Sequence, residues 1–377
     1  MKTILTILCS FFTICVFSQF VGHTSKTYTD DSRNRDINCE IYYPATANGD
    51  DTPVANGPFP VIVFGHGFAM NFNDYDDLRA SILPAGYVMV FVTTVGGLAP
   101  DHGQVGMDYA FVANQILLEN TNTQSAFFGQ LNNRLGMMGH SMGGGCSWLA
   151  AANNPVIDCV VGLAPAETTI SAITAALNVT APVLVFSGSS DNVTSPDENH
   201  IPIFENSQSE CKILINITNG SHCGFADAQT LCDFGEFGFS GLSRANQQAA
   251  VYPVLLNWFD YYLKDQTSQY DALLNFADSN TNIDATVACS VSVDEKIVAS
   301  DVMIYPNPVR NELIFSFDTH REMMTAYTVL DMPGRILCEG KVNSTTGIIQ
   351  VEQLAPGAYF IRFYNNSESV VLPFTKN

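Results

Sequence analysis

The chain is poor in positive charge. Its 377 residues include 16 Lys or Arg against 37 Asp or Glu, a formal charge of −21. A surface of that sign repels phosphate backbones, so nucleic acid is not an expected partner. Ten cysteines are present, yet no C-x-x-C pair occurs among them, which removes the usual spacing of a zinc site. Neither a G-x-G-x-x-G fingerprint nor a Walker loop appears. No metal and no cofactor are therefore expected. Beyond the first 19 residues no apolar run approaches the roughly 18 residues of a membrane span, and a soluble monomer is expected.

The acid is concentrated. Residues 20–300 hold 9 basic and 29 acidic residues, whereas residues 301–377 hold 6 and 8. At the start, Met1-Lys2 leads an apolar run from Ile4 to Phe17 and then Ser18-Gln19. One positive charge, a short apolar stretch and a small residue at its end predict a secretory signal peptide over residues 1–19. Export permits disulfides among the eight cysteines that follow. Connectivity cannot be read from sequence, but Cys223 and Cys232 close a short loop and are the favoured pair. Cys146 and Cys159 read equally well as buried thiols.

Through the middle of the chain, apolar runs alternate with amphipathic segments. Residues 60–64, 87–93, 134–138, 158–163, 182–186 and 212–217 read as buried strands. Residues 73–83, 103–119 and 245–263 read as helices, the first capped by Asn73 or Asp74 and the last kinked or split by Pro253. Segments near Thr27 and over residues 39–43 predict an antiparallel edge. The fold class is α/β, with a doubly wound, mostly parallel sheet. Residues 266–300 turn polar and aperiodic, as in a linker or closing segment. Residues 301–377 read all-β, with runs such as Glu312-Leu313-Ile314-Phe315 split by Gly, Pro and Asn, and fit a small sandwich.

The chemistry starts at Gly139-His140-Ser141-Met142-Gly143, which follows the strand at 134–138 and precedes a helix-forming run. A G-x-S-x-G on a sharp strand-to-helix turn exposes the serine Oγ. A serine needs a base, and the base an orienting carboxylate, in the order Ser, Asp or Glu, His for this fold. Only His200 and His222 follow Ser141 before the all-β segment. His222 lies in a Gly-containing loop at the carboxyl end of a strand, where ligands bind in open α/β sheets, and is preferred over His200. Asp191 follows the strand at 182–186 and is preferred over Asp197 and Glu198, which read as helix caps. Backbone N–H groups of Met142 and Phe68 are the expected oxyanion donors, with His66 bracing the second loop. Asp74, Asp76 and Asp77 fit helix capping better than calcium binding. Asp101-His102-Gly103 fits either a pocket rim or a plain helix start.

Two resemblances follow from these residues. The segments Val63-Phe64-Gly65-His66-Gly67-Phe68, Met138-Gly139-His140-Ser141-Met142-Gly143-Gly144-Gly145, Ser190-Asp191 and Asn219-Gly220-Ser221-His222 resemble the bacterial cutinase-type polyester hydrolases. That group includes poly(ethylene terephthalate) hydrolases, with dienelactone hydrolases and chlorophyllases as distant relatives. The resemblance implies an α/β-hydrolase fold over residues 20–298, with Ser141 as nucleophile, His222 as base and Asp191 as its orienter. It also implies Phe68 and Met142 at the oxyanion and, with Ala166, against the substrate. Ala164-Pro165-Ala166 departs from that group's Ala-Pro-Trp, so the ring that packs on an aromatic substrate is missing.

In the tail, Tyr305-Pro306-Asn307-Pro308, Asp331 with Gly334-Arg335, Gly357-Ala358-Tyr359 and Lys376 resemble a type IX secretion sorting domain over residues 299–377. The implied partner is that secretion machinery, and the implied destination is the exterior or the cell surface. The expected activity is ester hydrolysis on a polyester or bulky ester. A small-ester or lipid esterase, and a non-catalytic surface binding protein on the same scaffold, are the alternatives.

Overall fold

The computed structural model describes residues 20–94, 99–236, 238, 240–289, 302–317, 324–331, 335–365 and 369–377. The expected signal peptide and the expected boundary at 298/299 lie outside them. Two compact units divide the chain, one ending at Ser290 and the other starting at Val291.

The described residues of the first unit include ten strands. In chain order these are β1 (Phe20–Asp30), β2 (Arg35–Ala45), β3 (Gly49–Asp50), β4 (Phe59–Gly65), β5 (Val88–Val92), β6 (Leu131–His140), β7 (Cys159–Leu163), β8 (Val183–Gly188), β9 (Cys211–Ile217) and β10 (Ile283–Cys289). Their order in the sheet is β10-β9-β8-β7-β6-β4-β5-β2-β1-β3. The stretch from β5 to β9 is parallel, and β2 joins it antiparallel at β5.

The strands are apolar on both faces because both faces are covered. Val61 and Val63 enter one core with α2 (His102–Leu118), α3 (Met142–Ala151), α4 (Ala172–Ala176) and α5 (His200–Asn206). Ile62 and Phe64, the alternate residues of β4, enter the other core with α1 (Asp76–Ile82), α7 (Arg244–Lys264) and α8 (Ser268–Ser279). Each such side chain contributes about 1.5–3 kcal/mol by leaving water. A short α6 (Thr230–Gly235) lies between β9 and α7. Among the described residues no helix is long and apolar enough to cross a membrane.

Two expectations are corrected and two open alternatives are narrowed. The helix expected over 73–83 begins with a 3-10 turn at Phe72–Tyr75, and its cap is Asn71, whose side chain accepts from Asn73 N–H while Asp74 returns a bond to the Asn71 backbone. Asp197 and Glu198 do not cap α5, whose first flanking residue is Asn199. Pro253 lies inside α7 without splitting it. Of the two readings of the polar stretch, the closing segment holds for residues 268–289: α8 packs into the second core, and β10 pairs antiparallel with β9 along Ile283–Cys289. The register sets Cys289 opposite Cys211, and the two form a disulfide. Cys223 and Cys232 are joined as expected, while Cys39, Cys146 and Cys159 are buried free thiols.

The second unit is two antiparallel sheets. Strands β11 (Val302–Tyr305), β12 (Glu312–Phe317) and β15 (Thr346–Gln350) make one, and β13 (Ala326–Asp331), β14 (Ile336–Lys341), β16 (Gly357–Tyr364) and β17 (Ser369–Lys376) the other. Phe315 from the first and Phe363 from the second meet with ring centroids 5.2 Å apart. They share one core with Leu313, Val329, Ile361 and Phe374.

Candidate active site

Ser141 is the single residue between β6 and α3. Its φ of 55° and ψ of −123° are unusual for a side chain with a Cβ. The turn is held by three backbone bonds. Ser141 N–H donates to Leu163 at 2.9 Å, and its carbonyl accepts from Ala166 N–H at 2.9 Å and Gly145 N–H at 3.0 Å. The flanking glycines are steric requirements. A Cβ on Gly139 would strike the Gly143 carbonyl, and a Cβ on Gly143 would strike the Gly65 carbonyl at the end of β4.

Asp191 and His222 come from the ends of neighbouring strands β8 and β9. Their loops touch where Gly188 passes Gly220, with 2.6 Å between an imagined Gly188 Cβ and the Gly220 carbonyl oxygen. Ser190 N–H donates to that same carbonyl at 2.9 Å, and Asn219 N–H donates to Ser189 Oγ at 2.8 Å. Buried Gln247 on α7 clamps Ser221 through both its amide atoms at 2.8 Å. The result is a buried pair in which His222 Nδ1–H donates to Asp191 Oδ2 at 2.7 Å. Burial by itself would raise the Asp191 carboxyl. The hydrogen bond from His222, the two nearby imidazoles of His222 and His200, and the Thr194 N–H together hold it below its ordinary value.

A cleft of about 430 Å³ opens beside this serine, lined by Phe68, His102, Ser141, Met142, Ala166 and neighbouring residues. Phe68 leaves nearly half of its surface exposed there, and Met142 is buried as the first residue of α3. His102 therefore satisfies both expectations at once: Asp101 caps α2, and His102 lines the cleft. Thr169 N–H donates to its Nδ1 at 3.0 Å. His66 braces its loop, its Nδ1–H donating to the Gly67 carbonyl at 2.9 Å.

Four partnerships were not legible in the sequence. Gly67 N–H donates to the Tyr75 hydroxyl at 2.9 Å, and that hydroxyl faces His140 Nδ1 at 3.0 Å. His140 Nε2–H then donates to the His222 carbonyl at 3.1 Å. One buried chain thus joins the loop before Phe68, the residue before Ser141 and the backbone of His222. Burial, with His222 close by, pushes His140 down to about 3, so it stays neutral. Glu236, just after α6, accepts from the backbone N–H groups of His222 and Cys223. His200, set aside as polar, is wholly buried, with its Nε2 3.6 Å from the same Asp191 Oδ2 that His222 reaches. None of these follows from a spacing rule, since each joins elements far apart in the chain.

Residues 32–272 match a family described as PET hydrolase-like. Residues 303–375 match the secretion system C-terminal sorting domain. No curated protein matches the chain. The sorting domain marks the protein for export, either released or held at the cell surface.

Proposed function

Since the chain belongs to the PET hydrolase-like family, we propose that it is a secreted serine carboxylic-ester hydrolase of cutinase and polyesterase type, acting through Ser141, His222 and Asp191. The observation that carries this reading is the buried 2.7 Å bond from His222 Nδ1–H to Asp191 Oδ2. That bond fixes the tautomer in which Nε2 is free to accept a proton.

The chemistry then follows from charge. Ser141 Oγ attacks the ester carbonyl carbon while His222 Nε2 takes its proton. The carbonyl electrons move to oxygen, where N–H groups of Met142 and Phe68 face the developing anion. Collapse expels the alcohol, which receives the proton from His222, and leaves an acyl group on Ser141. Water, deprotonated by His222, attacks this ester and releases the acid. Asp191 stabilises the imidazolium at both stages. Phe68 is the one phenyl ring among the described lining residues, which supports a role for it against an aryl or acyl group of the substrate.

A second reading within the same chemistry is an esterase for small or lipid esters. It draws on Ala166, whose methyl supplies no ring to the cleft that it lines. Ser141→Ala is expected to abolish p-nitrophenyl ester turnover with the fold intact. Turnover that survives the substitution would refute the triad. Product analysis on poly(ethylene terephthalate) film, short-chain esters and triglycerides, side by side, separates the substrate classes. Absence of aromatic acid from the film removes the aromatic polyester and leaves the esterase.

A further inference from the structure

Asp191 is served from two sides. On one, Oδ2 takes the His222 Nδ1–H at 2.7 Å, and on the other Oδ1 takes Val193 N–H and Thr194 N–H, each at 2.8 Å. The Thr194 hydroxyl stands 3.1 Å from Oδ2, 2.9 Å from His222 Nδ1 and 3.0 Å from His200 Nε2. His200 Nδ1 in turn meets the Ser187 hydroxyl at 2.8 Å. His200 has no solvent exposure, and its Nε2 lies 3.6 Å from Asp191 Oδ2.

The Thr194 hydroxyl also has the Ala164 carbonyl at 3.5 Å, but one arrangement of protons serves all of its shorter contacts. A carboxylate accepts and cannot donate, so the single Thr194 hydroxyl proton points to Oδ2. Thr194 Oγ1 must then accept from His200 Nε2–H. That tautomer leaves His200 Nδ1 an acceptor, and it takes the proton of Ser187. The chain runs Ser187 to His200 to Thr194 to Asp191, each group donating toward the carboxylate.

Resting on the triad reading above, we propose that His200 and Thr194 are positioning residues for the reaction, a buried donor relay that spreads the Asp191 charge and holds its carboxylate against His222. Burial keeps His200 well down, at about 4, so the relay donates through a neutral imidazole. His140, whose ring lies 4.8 Å from that of His222 between centroids, is also neutral.

The test uses the full secreted protein with p-nitrophenyl butyrate. Thr194→Val keeps the shape and removes the hydroxyl. It is expected to lower kcat roughly tenfold, the worth of one buried hydrogen bond to a charged group, with KM within about twofold. With one donor fewer, the carboxylate charge bears more on His222, so the acid limb of kcat/KM moves up by on the order of half a pH unit. Thr194→Ser restores the hydroxyl and should recover most of the rate. His200→Gln, which retains a donor, should stay within about threefold of the parent, whereas His200→Leu should resemble Thr194→Val. A Thr194→Val enzyme with the parent kcat and acid limb overturns the relay. So does a Thr194→Ser enzyme as impaired as Thr194→Val. Ser141→Ala run in parallel separates the two ideas. Turnover surviving there removes the triad itself, while its loss there beside an unaffected Thr194→Val removes the relay alone.

Discussion

His140 holds His222 by its backbone: the Nε2–H of the first donates to the carbonyl oxygen of the second at 3.1 Å. The residue before the serine is thereby tied to the residue proposed as its base. The same imidazole reaches Tyr75, and Tyr75 reaches Gly67. Tyr75→Phe should therefore act at two places. It strands the Gly67 N–H, which costs about 1–3 kcal/mol when a buried donor is left unmet. It also frees the loop that presents Phe68, so kcat should fall with little change in KM. Thermal melts and steady-state kinetics on one ester check both.

Acid should weaken the fold well before the carboxylates titrate. His200 and His140 are buried and held down to about 4 and about 3, whereas an exposed imidazole titrates near 6.5. Below pH 6.5 the unfolded chain binds protons that the folded chain refuses, so stability is complete above that pH and declines as pH falls toward 4. Asp191 acts lower still: its depressed carboxyl stabilises the fold above the unfolded value near 4, and that contribution disappears as pH drops through its folded value. The melting temperature should fall between pH 6.5 and 4, and His200→Gln should flatten part of that slope. A slope identical in parent and variant would show that His200 does not contribute.

The two disulfides should differ in worth. Cys223–Cys232 closes 9 residues and Cys211–Cys289 closes 78. Chain entropy assigns them about 2.6 and about 4.5 kcal/mol respectively. Cys211→Ser with Cys289→Ser should cost more stability than Cys223→Ser with Cys232→Ser. The smaller ring should matter more for turnover, because Glu236, just beyond it, holds the His222 and Cys223 backbone. Denaturant melts and kcat for the two double variants give both orderings.

Phe68 and Ala166 should control substrate rather than stability. Phe68 is already about half exposed, so Phe68→Ala should leave the melting temperature nearly unchanged. Its KM for aryl esters should rise several-fold if the ring stacks on them, a contact worth about 0.5–1.5 kcal/mol. Ala166→Trp adds a second ring to the cleft and should favour aryl over alkyl esters. Paired kcat/KM values on benzoate and butyrate esters measure each change.

Much of this site was legible because its parts obey local rules. The G-x-S-x-G turn depends on glycines within two residues of Ser141, and the apolar runs that became β8 and β9 mark where Asp191 and His222 leave the sheet. Cys223 and Cys232 were readable for the same reason, being near neighbours. The rest depends on distance in the chain. β10 carries no strong alternation, having five exposed residues between its ends, and it becomes a strand by pairing with the edge of β9. That pairing also brings Cys289 to Cys211, which no spacing rule foretells. His200 looked polar because Asp197, Glu198 and Asn199 precede it. Its burial is set by Ser187 and Thr194, which belong to another strand end and another turn.

At Gly143 the helix that follows the serine and the end of β4 approach with no space for a methyl group. Sequence change is therefore barred from the centre of the machine and pushed to its margins. Diversification of this enzyme, by nature or by an engineer, has to proceed through residues such as Phe68, His102 and Ala166, whose side chains border open volume. The chemistry is inherited as a block, and only its diet is negotiable.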